Sequence, residues 1–184
     1  MRKVFIDAGG YTGDTVRLFL EQYENANQFE IFCFEPNPNF LEFHKNSKYT
    51  FLPFAIWTKD CHMDFHLCSN NLGSSLLESK LGKHHRHVGK VKVKAINFSQ
   101  WIKDNFSKDD FIVLKMDIEG AEYDVLRHMV DQGSIYYIKE LYVDWHARKI
   151  SNFDTAIHTN LYNYLVEIGL KPGDMCGETW KIIK

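Results

Sequence analysis

Val4-Phe5-Ile6-Asp7-Ala8-Gly9-Gly10-Tyr11-Thr12-Gly13 is a short apolar run closed by an acid, followed by a glycine-rich turn. Runs of this length, rich in β-branched and aromatic residues, read as strands buried on both faces. Val16, Phe19, Leu20 and Tyr23 then recur on one helical face, completing a strand, turn, helix unit. Working outward, three further apolar runs end on an acid in the same way: Ile31 to Glu35, Ile112 to Asp117 and Leu141 to Asp144. Helical patterns lie between the runs, which predicts an α/β fold with a mostly parallel sheet and helices on both faces. In such sheets ligands bind beyond the carboxyl ends of the strands, where the strand order reverses. Carboxylates crowded onto that edge repel one another unless a ligand or a counter-charge uses them.

The chain has 184 residues, 45% of them apolar and 25% charged, which suits a single globular domain spanning 1–184. A formal charge of −2 provides no global field favouring nucleic acid or an anionic membrane. Met1-Arg2-Lys3 runs straight into the first strand without a leader pattern, and no stretch of about 20 apolar residues occurs, so the expected location is cytoplasmic. Cys33, Cys61, Cys68 and Cys176 lie far apart in sequence, which favours reduced thiols over a disulfide framework.

A third strand is expected near 50–56. Met63, Phe65 and Leu67 alternate with His62, Asp64 and His66 in a half-exposed strand expected to pair with 54–58 as a hairpin. Residues 69–90 form a long polar loop, the kind that is functional or mobile in compact domains. A strand near 91–96, a short helix near 98–105, a helix opened by Gly120-Ala121 and stopped by Gly133, and a helix near 153–168 follow. A terminal pair of short strands around Gly173, ending in Thr179-Trp180-Lys181-Ile182-Ile183, completes the predicted sheet.

Ala8-Gly9-Gly10-Tyr11-Thr12-Gly13 reads as a degraded G-x-G-x-x-G turn, and Glu35 stands 22 residues beyond Gly13, where a ribose-binding acid belongs. Taken alone, these features fit a nicotinamide-dependent oxidoreductase. An ionised Asp7 at the strand end would, however, repel a dinucleotide's pyrophosphate. S-adenosylmethionine instead carries an ammonium and a sulfonium for Asp7 and ribose hydroxyls for Glu35.

Asp7-Ala8-Gly9-Gly10-Tyr11-Thr12-Gly13-Asp14, Phe34-Glu35-Pro36-Asn37-Pro38, Gly73-Ser74-Ser75-Leu76 and Leu114-Lys115-Met116-Asp117-Ile118-Glu119-Gly120-Ala121-Glu122 occur in that order. Together they resemble the FkbM family of S-adenosylmethionine-dependent methyltransferases, and the likeness runs from the first strand to Asp144-Trp145-His146. The resemblance implies a seven-stranded Rossmann-like class I methyltransferase fold and O-methylation of a hydroxyl on a sugar, glycan or other small metabolite. It also places Ser74 and Ser75 at the mouth of the active site. One departure stands out: Gly9-Gly10-Tyr11 occupies the turn where the family typically has Gly-Ala-Asn.

The residues assigned to the cofactor are Asp7, Gly9, Gly10, Gly13, Glu35, Pro36 and Ala55, with Glu35 accepting the ribose hydroxyls. Asp117, Glu119 and His146 are the candidate catalytic residues, since methyl transfer to a hydroxyl needs positioning and a proton acceptor within reach. Lys115 shares strand parity with Asp117 and reads as a structural ion-pair partner. Glu122 in a first helical turn is accounted for by the helix dipole.

His62, Asp64, His66 and Cys68 fall on one strand face, but zinc ligands come as closely spaced pairs from turns or helices. A divalent ion on Asp117, Asp144 and His146 has no further support in the sequence, and no metal is assigned. The basic stretch Lys80, Lys83, Arg86, Lys90, Lys92 and Lys94 reads either as a grip for an acidic substrate group or as a solvated loop. The alternatives to a methyltransferase are the oxidoreductase above and a catalytically silent cofactor-binding module.

Overall fold

The computed structural model describes residues 1–69, 73–78 and 87–174. In chain order the elements are β1 (Lys3–Ala8), α1 (Asp14–Gln22), β2 (Glu30–Phe34), α2 (Leu41–His44), β3 (Thr50–Leu52), β4 (Ala55–Trp57), β5 (Cys61–Cys68), β6 (His87–Asn97), α3 (Phe98–Asn105), β7 (Phe111–Met116), α4 (Glu122–Asp131), β8 (Ile138–Val143), α5 (Thr155–Glu167) and β9 (Gly173–Asp174). The main sheet has the order β3-β2-β1-β7-β8-β9, and every pairing in it is parallel. Five full strands and the two-residue β9 are found among the described residues, rather than the seven expected. The predicted last strand, ending at Ile183, lies outside the described residues.

Alternation along β1 and β7 feeds two cores. Val4, Ile6 and Ala8 with Ile112, Leu114 and Met116 face the layer of α3, α4 and α5, where Ile102, Leu126, Met129 and Leu165 are fully buried. Phe5 and Val113 face the opposite layer, where Phe19 of α1 stacks on Phe5 with ring centroids 3.9 Å apart. Each such apolar side chain contributes about 1.5–3 kcal/mol by leaving water. Helices therefore cover both faces, as a parallel sheet requires.

The segment expected as one strand over 50–56 is split at Pro53. Proline has no N–H to donate to a ladder and constrains its neighbours. Phe54 N–H turns back to Leu52 O (2.8 Å), so Thr50–Leu52 ends in the main sheet while Ala55–Trp57 enters a second sheet of order β4-β6-β5. The expected hairpin between 54–58 and the half-exposed strand is likewise corrected: β5 pairs antiparallel with β6, and β4 lies parallel on the other side of β6. A long amphipathic β6 can pair on both edges, whereas the three-residue β4 offers too short a ladder for an eight-residue partner.

The inward face toward α1 also carries polar residues. Register aligns Phe51, Cys33, Asp7, Lys115 and Tyr142 in one row across β3, β2, β1, β7 and β8. Asp7 is 0% and Lys115 2% exposed, and Asp7 Oδ1 lies 3.0 Å from Lys115 Nζ. Lys115 also donates to Gly9 O at 2.7 Å and stands 3.8 Å from Asp117 Oδ2. Burial pulls the Lys115 pKa down, but Asp7 and Asp117 outweigh it and hold the ammonium above its ordinary value.

Removing one member of such a pair strands the other charge. Lys115→Met is expected to lower stability by about 3–5 kcal/mol, while Asp7→Asn combined with Lys115→Met costs less than the sum of the single changes. Urea unfolding of the three variants measures this, and strictly additive losses would show that the pair is not a unit.

Candidate active site

The strand order reverses beside β1: the chain passes from β1 to β2 and β3 on one side, then crosses to β7 and β8 on the other. A cleft of about 260 Å³ opens at the carboxyl ends of these strands, lined among others by Glu35 and Pro36 after β2, by Gly9, Gly10 and Tyr11 after β1, and by Lys115, Asp117 and Glu119 at the end of β7, together with Ala55 and Ser74. Its size lies just under the usual range of about 300–1,000 Å³ for small-molecule sites.

The turn after β1 is held from beneath. Gly9 N–H and Gly10 N–H both donate to Phe34 O, at 3.0 and 2.9 Å. A Cβ on Gly10 would collide with Cys33 Sγ, and one on Gly9, whose φ is +87°, would collide with Asp117 O. The two glycines therefore let β2 and the segment after β7 close against the turn, and their backbone forms the floor of the cleft. Gly13 stands at the N-cap of α1, beyond the cleft lining.

Tyr11 follows with φ +49°, a region that asparagine tolerates and bulky residues avoid. Its N–H donates to Glu35 Oε2 (2.9 Å), and its carbonyl accepts from His44 Nε2 (2.9 Å). His44 Nε2 must then carry the proton, leaving Nδ1 to accept from Tyr49 Oη–H at 2.7 Å. The Tyr11 ring packs edge-on to Phe40 with centroids 4.4 Å apart. These contacts hold the left-handed tyrosine in place.

Glu35 is 6% exposed, and its other oxygen, Oε1, accepts from Asn37 N–H (2.8 Å). Burial pushes its carboxyl up to about 7, against the two backbone N–H groups that pull it down. Each oxygen keeps a lone pair for a further donor. Pro36 and Ala55 stand beside it in the cleft wall. Asp7, expected to face the cofactor's cationic end, instead points beneath the turn at Lys115 and does not line the cleft.

The other end is built on the loop between β7 and α4. Glu119 has φ +57° and is followed by Gly120. Glu122, fully buried, draws this loop together: Oε1 accepts from Ile118 N–H (2.9 Å), and Oε2 from Gly120 N–H (2.9 Å). Oε1 also meets His146 Nδ1 at 3.0 Å. The helix dipole, which accounted for Glu122 in the sequence, is a minor part of what this carboxylate does.

His146, just beyond β8, is 1% exposed and does not line the cleft. Its Nε2 lies 3.2 Å from Glu119 Oε2, 3.6 Å from Asp144 Oδ2 and 3.8 Å from Asp117 Oδ1. Lys149 Nζ is 3.7 Å from Glu119 Oε2. The structure thus brings Asp117, Glu119 and His146 together. Ser74 lines the cleft, whereas Ser75 is buried, with its hydroxyl donating to Glu119 O at 2.7 Å.

The remaining candidates disperse. Asp64 is gripped by Lys90 (2.8 Å) and Lys92 (2.7 Å), and a bulge between Leu67 and Cys68 turns Cys68 inward, where its thiol donates to Gly73 O. Of the strand face read as a zinc option, Asp64 is thus paired with lysines and Cys68 is turned inward. Lys94 stands over the Phe54 ring, while Lys80, Lys83 and Arg86 lie outside the described residues. Cys33, Cys61 and Cys68 are free thiols. No helix among the described residues is long and apolar enough to cross a membrane.

A family model described as the methyltransferase FkbM domain matches residues 7–170, from the end of β1 past α5. No curated protein and no solved structure matches the chain.

The contact of Gly10 with Cys33 is testable by a double-mutant cycle. Gly10→Ala is expected to cost about 1–3 kcal/mol by overpacking. Cys33→Ala in that background should recover part of the loss, although alone it destabilises. Denaturant midpoints read the coupling, and a zero value would place the strain of Gly10→Ala elsewhere.

Proposed function

The chain belongs to the methyltransferase FkbM domain family, and on that premise we propose that it is an S-adenosylmethionine-dependent O-methyltransferase acting on a hydroxyl of a sugar, glycan or other small metabolite. The observation that carries the proposal is the cleft at the switch point, which has a hydrogen-bond-accepting carboxylate, Glu35, on the β2 side of the glycine turn and the carboxylates Asp117 and Glu119 on the β7 side. When bound, S-adenosylmethionine supplies an electrophilic methyl group on a sulfonium for in-line attack by the acceptor oxygen.

The residues present suit that cofactor. Glu35, with both oxygens oriented by backbone N–H groups, would accept the ribose hydroxyls. The backbone of Gly9 and Gly10 lets the cofactor approach the strand end, and Pro36 and Ala55 flank the adenosine end. Lys115 neutralises Asp7, so the turn presents less bare negative charge than the sequence implied. Asp7 and Gly13 then serve by shaping the turn and the start of α1, not by touching the cofactor.

At the acceptor end Glu119 is the proposed proton acceptor and Asp117 orients the hydroxyl, since both line the cleft. His146 is a positioning residue: buried behind them and braced by Glu122, it fixes the wall from which the two carboxylates project. Ser74 borders the acceptor space, and Ser75 holds the Glu119 backbone.

Two outcomes are expected. In a thermal-shift series, S-adenosylmethionine and S-adenosylhomocysteine at about 100 times Kd should each add about 2.7 kcal/mol of stability, and stabilisation by NAD alone would end this reading. Glu119→Gln should retain cofactor binding while kcat falls by about 10²–10⁴.

Cofactor affinity should also follow the charge on Glu35. From the ordinary value of 4.5 to about 7 the folded chain holds a proton that the unfolded chain has lost. The unliganded protein therefore loses stability across that window, and a ligand needing the ionised carboxylate binds more tightly as pH rises through it. Calorimetry with S-adenosylhomocysteine at pH values below and above the shifted value should show this tightening, absent in Glu35→Gln. Identical profiles would remove Glu35 from the ribose site.

A further inference from the structure

We propose that His44, which does not line the cleft, sets cofactor affinity by holding Tyr11 in its left-handed conformation, so that the Tyr11 N–H stays on Glu35. The proposal deepens the methyltransferase reading and rests on it.

Tyr11 is the strained residue of the turn after β1. It stands between Gly9 and Gly13, all three at positive φ, but it alone carries a Cβ and a ring, at φ +49°. Gly13 N–H closes the turn on Gly10 O at 2.7 Å, with Tyr11 inside it. Relaxation to negative φ rotates the peptide between Gly10 and Tyr11 and swings the Tyr11 N–H off Glu35 Oε2, where it now donates at 2.9 Å. Glu35 would then keep only the Asn37 N–H on Oε1.

The carbonyl of the same residue opposes that relaxation. His44 Nε2–H donates to Tyr11 O at 2.9 Å, and the imidazole is itself fixed. Tyr49 Oη–H donates to Nδ1 at 2.7 Å, and Phe51 stacks on the ring with centroids 4.1 Å apart and planes 6° from parallel. His44 is 3% exposed, so turning Tyr11 O away would leave a buried donor without a partner. Gly13 makes room for this brace, since a Cβ there would stand 2.6 Å from Tyr49 Oη. The Phe40 ring holds the Tyr11 side chain but not its peptide. His44 is therefore a positioning residue, acting on the cleft through Tyr11 and Glu35, which do line it.

Calorimetry with S-adenosylhomocysteine on the full-length chain tests this. His44→Phe keeps a ring against Phe51 and removes both nitrogens. It is expected to weaken binding about 5–30-fold, the factor that matches the strain of one left-handed residue. The pH at which affinity rises should also move above the parent's value of about 7, because a backbone bond that lowers the Glu35 pKa is gone. Burial, the Asn37 N–H, Lys115 and Asp7 act on Glu35 as before.

Asparagine tolerates positive φ, so in a Tyr11→Asn background His44→Phe should weaken binding less than about twofold. Tyr49→Phe removes only the hydroxyl that fixes Nδ1 and should give a loss of about 2–10-fold, again suppressed by Tyr11→Asn; it carries the test if circular dichroism shows His44→Phe unfolded. Losses equal in both backgrounds, or a pH midpoint that does not move, would make His44 a packing residue and overturn the proposal alone. A parent chain that does not bind S-adenosylhomocysteine would end the methyltransferase reading and the proposal together.

Discussion

A lysine ammonium buried in the middle of a parallel sheet sets the terms for everything around it. Lys115 cannot leave β7 for water, because Leu114 and Met116 on either side are held in one core and Val113, which shares its face, in the other. Its charge has to be met where it stands, and Asp7 on the neighbouring strand, Gly9 O and Asp117 meet it. Those contacts fix the register of β1 against β7 and the path of the glycine turn. They also set the position of the loop after β7, on which both ends of the cleft depend.

The two ends of the cleft follow one construction rule. In each, a buried glutamate gathers backbone N–H groups from an irregular loop and thereby gives that loop a shape. Glu35 does so for Tyr11 and Asn37, and Glu122 does so for Ile118 and Gly120. Each loop contains a non-glycine residue at positive φ, Tyr11 in one and Glu119 in the other. Such conformations persist only where the surroundings determine them, and they are typical of functional sites. Glu35 keeps a face toward the cleft, whereas Glu122 is turned wholly inward, toward His146.

The main sheet was legible because its determinants are local: apolar runs with acids at their ends, and helical spacing between them. The motifs from Asp7, Phe34 and Leu114 placed most of the cleft lining. What the sequence hid is pairing. Nothing in Val4 to Asp7 indicates that the acid will face a lysine more than a hundred residues away instead of a ligand; only strand parity combined with register shows it. Pro53 is the readable stop within the expected third strand, since it cannot donate to a ladder. Glu122 looked like an ordinary first-turn acid. The signal that could have identified it is the glutamate spacing in Glu119-Gly120-Ala121-Glu122, which lets the second carboxylate reach back over the turn.

The pairing of β1 with β7 also bears on how the chain reaches this state. Gly9 and Lys115 are 106 residues apart, so on a ribosome adding about 5–20 residues per second the lysine follows the turn by about 5–20 s. During that interval β1 can pair with β2 but has one open edge, the kind of edge that invites adhesion between chains. Asp7 sits on that edge with its charge unmet. An inward-pointing charge on an exposed strand is a recognised guard against edge-to-edge aggregation. The residue that anchors the finished sheet thus also protects the unfinished one, and it ceases to do so only when its own partner arrives.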